Sequence, residues 1–138
     1  MSNLRNKNIV HAELSYKIIG CAFDVFNEIG GGHKENVYQK ALGIAFTEKG
    51  LKFKEQVYYP VSFKNIVVGR NYFDFLVEDT IIVEIKSLAK FSKPNYDQAL
   101  NYLHISNLKL ALLISFSAEE VKCKRVVNFK ISEPEPTQ

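Results

Sequence analysis

The sequence has little cysteine, little net charge and no long apolar run, and each shortage excludes a class of protein. Among its 138 residues only Cys21 and Cys123 are cysteines, too few and too far apart for a disulfide framework. Its three scattered histidines do not supply the ligand spacing of a zinc site. No apolar run approaches the roughly 20 residues of a membrane span. The net charge of +3 permits a local nucleic-acid-binding patch but does not argue for one.

The composition that remains is that of a globular protein. Hydrophobic residues make up 46% and charged residues 24% of the chain, which suits one hydrophobic core. We therefore expect a single domain over residues 1–131, followed by a flexible tail at 132–138 that is rich in proline and polar residues. Because the polar N-terminus lacks the apolar segment of a signal peptide, a cytoplasmic protein without membrane contact is expected.

Hydrophobic periodicity predicts eight elements in the order ααβββαββ. The predicted helices cover 12–29, 35–49 and the stretch after Pro94 to about 108, and the predicted strands cover 57–63, 66–77, 80–86, 110–116 and 124–129. The third strand is apolar on both faces, as in a central strand covered by helices. This order predicts an α/β protein with a mixed sheet flanked by helices.

Three charged residues stand where burial makes charge costly. Glu84 and Lys86 are two residues apart, so both point to the same side of the predicted central strand. If the strands form a hairpin around residues 78–79, Asp74 lies near Glu84. Two converging carboxylates form the hard oxygen site that Mg²⁺ prefers, and a neighbouring lysine can position water or stabilise charge on a phosphate. A structural cluster of ion pairs at the end of a sheet is the alternative.

Two further elements carry candidate polar residues. Glu35 is expected on the inward face of the second helix, because Tyr38 and Leu42 follow it at helical spacing. Its alternative role is to complement the helix dipole at the helix start. Gln98 and Tyr102 are four residues apart on the third helix, where the glutamine could bind a phosphate or remain an ordinary surface residue.

These residues carry a resemblance that covers roughly residues 9 to 130. Asp74 followed by Glu84-Ile85-Lys86 resembles the D…(D/E)xK signature of the PD-(D/E)XK nucleases. The sequence QALNY at 98–102 resembles the QxxxY motif of the nuclease branch found in recombinational-repair helicase–nucleases. The sequence GHKENVY at 32–38 matches the GxxExxY motif, which names a family of small bacterial and archaeal proteins.

The resemblance implies a restriction-endonuclease-like core and a Mg²⁺-dependent nuclease, with Mn²⁺ able to substitute. Its expected substrate is nucleic acid, with DNA favoured over RNA, although the sequence does not distinguish the two. The implied metal ligands are Asp74, Glu84, Glu35 and the main-chain carbonyl of Ile85; Lys86 is the implied catalytic lysine, and Gln98 and Tyr102 line the substrate side. Phe73 stands where the motif's name has proline, a position that tolerates substitution.

Two other functions remain open on the same fold: a catalytically inactive nucleic-acid-binding module and a protein-interaction module. A chain of 138 residues has little room for a separate recognition domain. We therefore expect specificity to come from loops, from a homodimer or from a protein partner.

Overall fold

The computed structural model describes residues 10–130, which form three helices and five strands in the predicted order ααβββαββ. The elements are α1 (Ala12–Ile29), α2 (Glu35–Glu48), β1 (Phe53–Phe63), β2 (Ile66–Val77), β3 (Ile81–Lys86), α3 (Lys93–Ser106), β4 (Leu110–Phe116) and β5 (Val121–Val127). The α/β class is thus confirmed. The predicted tail at 132–138 lies outside the described residues.

The five strands make one mixed sheet in the order β1-β2-β3-β4-β5. β3 and β4 are parallel and are connected through α3, whereas the other neighbouring strands are antiparallel. The carboxyl ends of β3 and β4 therefore meet at one edge of the sheet, next to the start of the connection to α3.

Each face of the sheet has its own hydrophobic core. On one face, Ile81, Val83 and Ile85 of β3 pack against α1 and α2. On the other face, Ile82 packs against α3. Because side chains alternate along a strand, Glu84 and Lys86 belong to the α3 face, as Ile82 does. The predicted covered central strand is confirmed, since Ile81–Ile85 are all buried.

The β1–β2 hairpin extends beyond the five-stranded part of the sheet. Its turn is formed by Lys64 and Asn65, both in the left-handed region, and a bulge between Val61 and Ser62 shifts the register by one residue. β2 pairs with β3 only over its last three residues, Phe75 to Val77. At Asp74 the β1–β2 hairpin thus separates from β3.

The connection between α1 and α2 fits closely against the turn that follows β4. A Cβ atom on Gly31 would lie 2.3 Å from the carbonyl oxygen of Ala118, so this approach requires glycine. The Tyr38 hydroxyl donates to the Gly30 carbonyl at 2.7 Å, and its ring stacks on Phe116 with centroids 4.2 Å apart. The first turn of α2 is thereby anchored near the carboxyl end of β4.

Several predicted boundaries were wrong. β1 begins at Phe53 rather than at residue 57, because Phe53 packs edge-on against Phe46 and Phe75 although polar residues follow it. β5 covers Val121–Val127 instead of 124–129 and stops where the buried Asn128 side chain donates to main-chain carbonyls outside the sheet. Smaller shifts occur at β3, which begins at Ile81, at α2, which ends at Glu48, and at α3, which runs over Lys93–Ser106.

The cysteines and the lengths of the helices agree with the composition of the chain. Cys21 is buried, Cys123 is partly buried, and both are free. Among residues 10–130, no helix has the length and apolarity needed to cross a membrane.

Candidate active site

Asp74 and Glu84 lie opposite each other where β2 and β3 separate. The Glu84 Oε2 atom accepts a hydrogen bond from the Asp74 main-chain nitrogen at 2.7 Å. The Asp74 Oδ2 atom accepts one from the Ile85 main-chain nitrogen at 2.8 Å. The two carboxylates therefore bond to main-chain N–H groups beyond the last ladder pair, Phe75 and Val83. This arrangement confirms the expected proximity of the two acidic residues.

Glu84 is a buried carboxyl group whose charge is poorly compensated. Glu84 is only 4% exposed. Burial is the main effect that raises the pKa of its carboxyl group to about 8, and the negative charge of Asp74 is the second. The hydrogen bond from the Asp74 main chain and the charge of Lys86 act in the opposite direction. Of the ion pairs found among residues 10–130, none includes either carboxylate. The ion pairs that a structural charge cluster at this end of the sheet would require are therefore not found among the described residues.

Lys86 is directed towards α3. Its Nζ atom donates to Oε1 of Gln98 at 3.1 Å, so the two predicted site residues meet across the sheet–helix interface. Lys86 is half-buried and Gln98 is exposed, which leaves this pair open to a ligand from solvent. The amide oxygen gives the ammonium group a fixed direction without neutralising its charge.

Tyr102 lies in the core beside this pair. The residue is 6% exposed, and its ring lies against Phe73 with centroids 4.9 Å apart. Burial raises the pKa of its phenol, and the charges of Glu84 and Asp74 add to the effect. Tyr102 is therefore close to both carboxylates, but little of it is available to a substrate.

Glu35 is the first residue of α2 and is exposed, so the expectation that it faces inward was wrong. Tyr38 and Leu42 do line the buried face, but helical side chains tilt towards the N-terminus, and Glu35 has no preceding turn beneath it. It shares a helix face with Gln39, four residues later, whose Nε2 atom donates to the Asp74 carbonyl at 3.1 Å. Glu35 thus lies one helical turn from a direct contact with Asp74.

Two glutamines that sequence reasoning missed complete the surroundings of Asp74. Gln56 on β1 donates from Nε2 to Oδ1 of Asp74 at 3.3 Å and to Oε1 of Gln39 at 3.1 Å. The spacing of Gln39 from Glu35 was a usable signal for the first glutamine. No sequence signal pointed to Gln56, because the bulge in the hairpin changes which β1 residue lies opposite Asp74.

The donor set suits a divalent cation of the Mg²⁺ type, although it is small. Asp74 and Glu84 offer carboxylate oxygens, which such ions prefer. Burial and then the charge of Asp74 raise the pKa of Glu84, and a bound cation would oppose both effects. Within residues 10–130, no group of three or more His, Cys, Asp or Glu side chains is close enough together to hold a metal ion. The Glu35 side chain is therefore not grouped with the carboxylates of Asp74 and Glu84. Ile85 is 2% exposed, and its main chain lies beside Asp74 through the hydrogen bond from its nitrogen.

Comparison with solved structures reveals distant similarities. The crystal structure of SSO0001 superposes with a TM-score of 0.54 at 12% identity, over 67% of this chain and 49% of that one. This chain therefore spans about half the length of SSO0001, and the similarity is one of fold. A crystal structure of an alkaline exonuclease from Laribacter hongkongensis aligns over 88% of this chain and 72% of its own at 13% identity, with a TM-score of 0.49.

Comparison with protein families identifies the chain more directly. No curated protein matches it. The family model of the PD-(D/E)XK nuclease superfamily matches residues 12–126, which include Asp74, Glu84, Lys86 and Gln98. That match extends from the first residue of α1 into β5, so it covers nearly the whole described fold. The chain therefore belongs to the PD-(D/E)XK nuclease superfamily.

Proposed function

We propose that this protein is a metal-dependent nuclease that hydrolyses phosphodiester bonds, with Mg²⁺ as its ion and Mn²⁺ as a substitute. The observation that carries the proposal is the opposed pair Asp74 and Glu84, one of them buried and uncompensated, beside the Lys86–Gln98 pair. Burying the Glu84 side chain as a carboxylate costs several kcal/mol unless a cation compensates its charge, and a bound divalent ion would supply that compensation. Nuclease chemistry needs these groups together.

In this proposal each residue has a separate task. Asp74 and Glu84, with the main-chain carbonyl of Ile85, would hold the ion, and Glu35 would bind it directly or through water. The bound ion supplies Lewis acidity at the scissile phosphate. Lys86 positions the attacking water or offsets the charge that develops on the phosphate. Gln98 directs Lys86 and contacts the substrate backbone, and Tyr102 supports that side of the site.

We further propose that the chain belongs to the GxxExxY family within the superfamily. Three residues of that motif have roles that fit: Gly32 has a φ of 86° in the connection before α2, Glu35 begins the helix, and Tyr38 bonds to Gly30. A cytoplasmic protein acting on DNA, organised as one domain over residues 1–131, completes the proposal. Specificity would come from loops, from a homodimer or from a protein partner.

The test is a cleavage assay on single- and double-stranded DNA and RNA in Mg²⁺, in Mn²⁺ and in EDTA. Glu84→Gln retains an oxygen that can accept the hydrogen bond from Asp74 but removes the charge, so cleavage should disappear while the fold persists. Glu28→Gln, an exposed change on α1, is the matched control and should cleave as the wild type does. Metal-dependent cleavage that Glu84→Gln retains would overturn the proposal.

One observation favours a second candidate, a non-catalytic interaction module. The two-stranded part of the hairpin exposes large apolar side chains, namely Tyr58, Phe63, Ile66, Val67, Val68 and Tyr72. Exposed apolar groups in such number are typical of contact surfaces. This candidate predicts partner or nucleic-acid binding that persists in EDTA and in Glu84→Gln, without cleavage under any condition.

A further inference from the structure

Gln56 has a backbone conformation that its position in a strand does not explain. It lies inside β1 with a φ of 47°, in the left-handed region that residues other than glycine rarely adopt. The other such residues between 10 and 130 flank a helix or form a hairpin turn: His11, Lys64, Asn65, Glu78, Asp79 and Asn107. Gln56 is thus the one case within a strand of the described chain.

The side chains of β1 change from one face of the sheet to the other at Gln56. Phe53 packs with the core on the α1 and α2 face, whereas Val57, four residues later, packs with the core on the α3 face. In a regular strand both side chains would point to the same face. The rotation occurs opposite Asp74, between the ladder pairs that flank it, Glu55 with Phe75 and Val57 with Phe73.

The side chain at the rotation point is joined to Asp74. The Gln56 Nε2 atom donates to Oδ1 of Asp74 at 3.3 Å and to Oε1 of Gln39 at 3.1 Å. Gln39 in turn donates to the Asp74 carbonyl at 3.1 Å, and the Ile85 nitrogen donates to Oδ2 at 2.8 Å. Every polar atom of Asp74 therefore has a partner, and only the bond to Oδ1 comes from an exposed side chain.

The Gln56 contact limits which way the Asp74 carboxylate can turn. A carboxylate oxygen has two lone pairs, so Oδ1 can accept the amide hydrogen bond and still bind a cation through the other. With Oδ2 held by Ile85 and Oδ1 by Gln56, rotation of the carboxylate would break both bonds. Groups that orient a metal ligand in this way typically change metal affinity when they are removed.

We propose that Gln56 is a positioning residue that fixes the Asp74 carboxylate for a divalent cation, and that the strained backbone of β1 is retained for this purpose. The proposal rests on the proposed metal-dependent function. Strained backbone in folded proteins concentrates at functional sites, where the surrounding contacts maintain it. Here those contacts are the two glutamine amides and the β1–β2 ladder.

Gln56→Gly separates positioning from folding, because glycine adopts the left-handed conformation without strain. The variant keeps the rotation of β1 but lacks the amide. Lys64→Gly is the matched control: Lys64 is also left-handed, with a φ of 49°, and lies in the hairpin turn, where its ammonium group contacts the Phe63 ring. Calorimetric titration of each metal-free protein with Mn²⁺ gives the affinity, and thermal unfolding in EDTA gives the stability.

Gln56→Gly should bind Mn²⁺ on the order of 10- to 100-fold more weakly than the wild type. Its melting temperature in EDTA should shift no more than that of Lys64→Gly, whose Mn²⁺ affinity should equal that of the wild type. If Gln56→Gly bound Mn²⁺ as tightly as the wild type, the positioning role of Gln56 would be overturned, but the proposed nuclease function would not. A large fall in its melting temperature would also overturn it, since the amide would then serve folding. Absence of Mn²⁺ binding in the wild type would overturn the proposed function as well.

Discussion

The carboxylate of Asp74 accepts the main-chain N–H of Ile85, and the carboxylate of Glu84 accepts the main-chain N–H of Asp74. The two acidic side chains thus take over hydrogen bonding where the β2–β3 ladder ends. A buried N–H without a partner is costly, so these contacts tie both carboxylates to the sheet even without a cation. Replacement by alanine would disturb the strands as well as the charge. Amide replacements, which retain an acceptor oxygen, therefore give cleaner tests.

The stability of the metal-free protein should fall as the pH rises from about 4.5 to about 8. The pKa of Glu84 is about 8 in the folded protein against its ordinary value of 4.5, so the folded state binds the additional proton in this window. Stability then decreases with pH, by at most about 1.4 kcal/mol per pH unit, and this contribution is lost above the folded pKa. Thermal unfolding in EDTA across pH 4 to 9 measures it.

Glu84→Gln is the control for that pH dependence, because it removes the titrating group. Its melting temperature should change less with pH than that of the wild type, and it should exceed the wild-type value above pH 8. Identical pH profiles for the two proteins would show that Glu84 does not titrate as the burial of its carboxyl group implies.

Lys86→Met should separate metal binding from cleavage. Methionine retains most of the aliphatic length, but the ammonium group that donates to Gln98 is lost. Cleavage should fall by about 100-fold or more, as expected when a donor that stabilises the charge developing on the substrate is removed. Mn²⁺ affinity should be unchanged or higher, because a nearby positive charge is removed. Single-turnover cleavage and calorimetry measure the two effects, and cleavage at the wild-type rate would contradict the role of Lys86.

Gln98→Leu should slow cleavage through Lys86 rather than through the metal. It removes the acceptor that directs the lysine, a hydrogen bond to a charged group worth about 1.5 kcal/mol, or roughly tenfold in rate. Asn101→Leu, an exposed change on the same helix, is the matched control and should cleave normally. If Gln98→Leu weakened Mn²⁺ binding as strongly as cleavage, Gln98 would instead act on the metal site.

Gly31→Ala should lower the free energy of unfolding by about 1–3 kcal/mol, because its Cβ atom would meet the Ala118 carbonyl oxygen at 2.3 Å. Gly20→Ala is the matched control within α1, where an added Cβ atom meets nothing within 4 Å. That change should raise stability by about 0.5–1 kcal/mol, as alanine does in helices. Denaturant unfolding compares the two variants. Equal stability of the Gly31→Ala and Gly20→Ala proteins would mean that the connection before α2 can move to accommodate a Cβ atom without loss of stability.

The part of the site on β2 and β3 was predictable because it depends on local rules. Alternation along β3 placed Glu84 and Lys86 on one side. The short turn at 78–79 constrains the pairing between the strands, and the ladder from Val77–Ile81 to Phe75–Val83 continues to Asp74 opposite Glu84. The mixed sheet followed from the order of helices and strands, which was confirmed in full.

The positions of Gln56 and Glu35 in the site depend on structural features that hydrophobic periodicity does not reveal. From the turn at Lys64 and Asn65 alone, the register would place Glu55 opposite Asp74; the bulge at Val61 and Ser62 moves Gln56 there instead. Periodicity also assigned Glu35 to the buried helix face; the predicted helix start at residue 35 was correct, but the side chain at this first position is exposed. The bulge and the exposure of Glu35 both depend on how the elements pack against each other, so both required the structure.

The central claim, that Asp74 and Glu84 form a site for a divalent cation, is tested most directly by calorimetric titration of the metal-free protein with Mn²⁺. Asp74→Asn retains an oxygen for the Ile85 hydrogen bond but removes the charge, and Asp24→Asn makes the same change at an exposed position of α1. We predict binding in the wild type and in Asp24→Asn, and none in Asp74→Asn. Binding of equal strength in all three proteins, or in none of them, would contradict the claim.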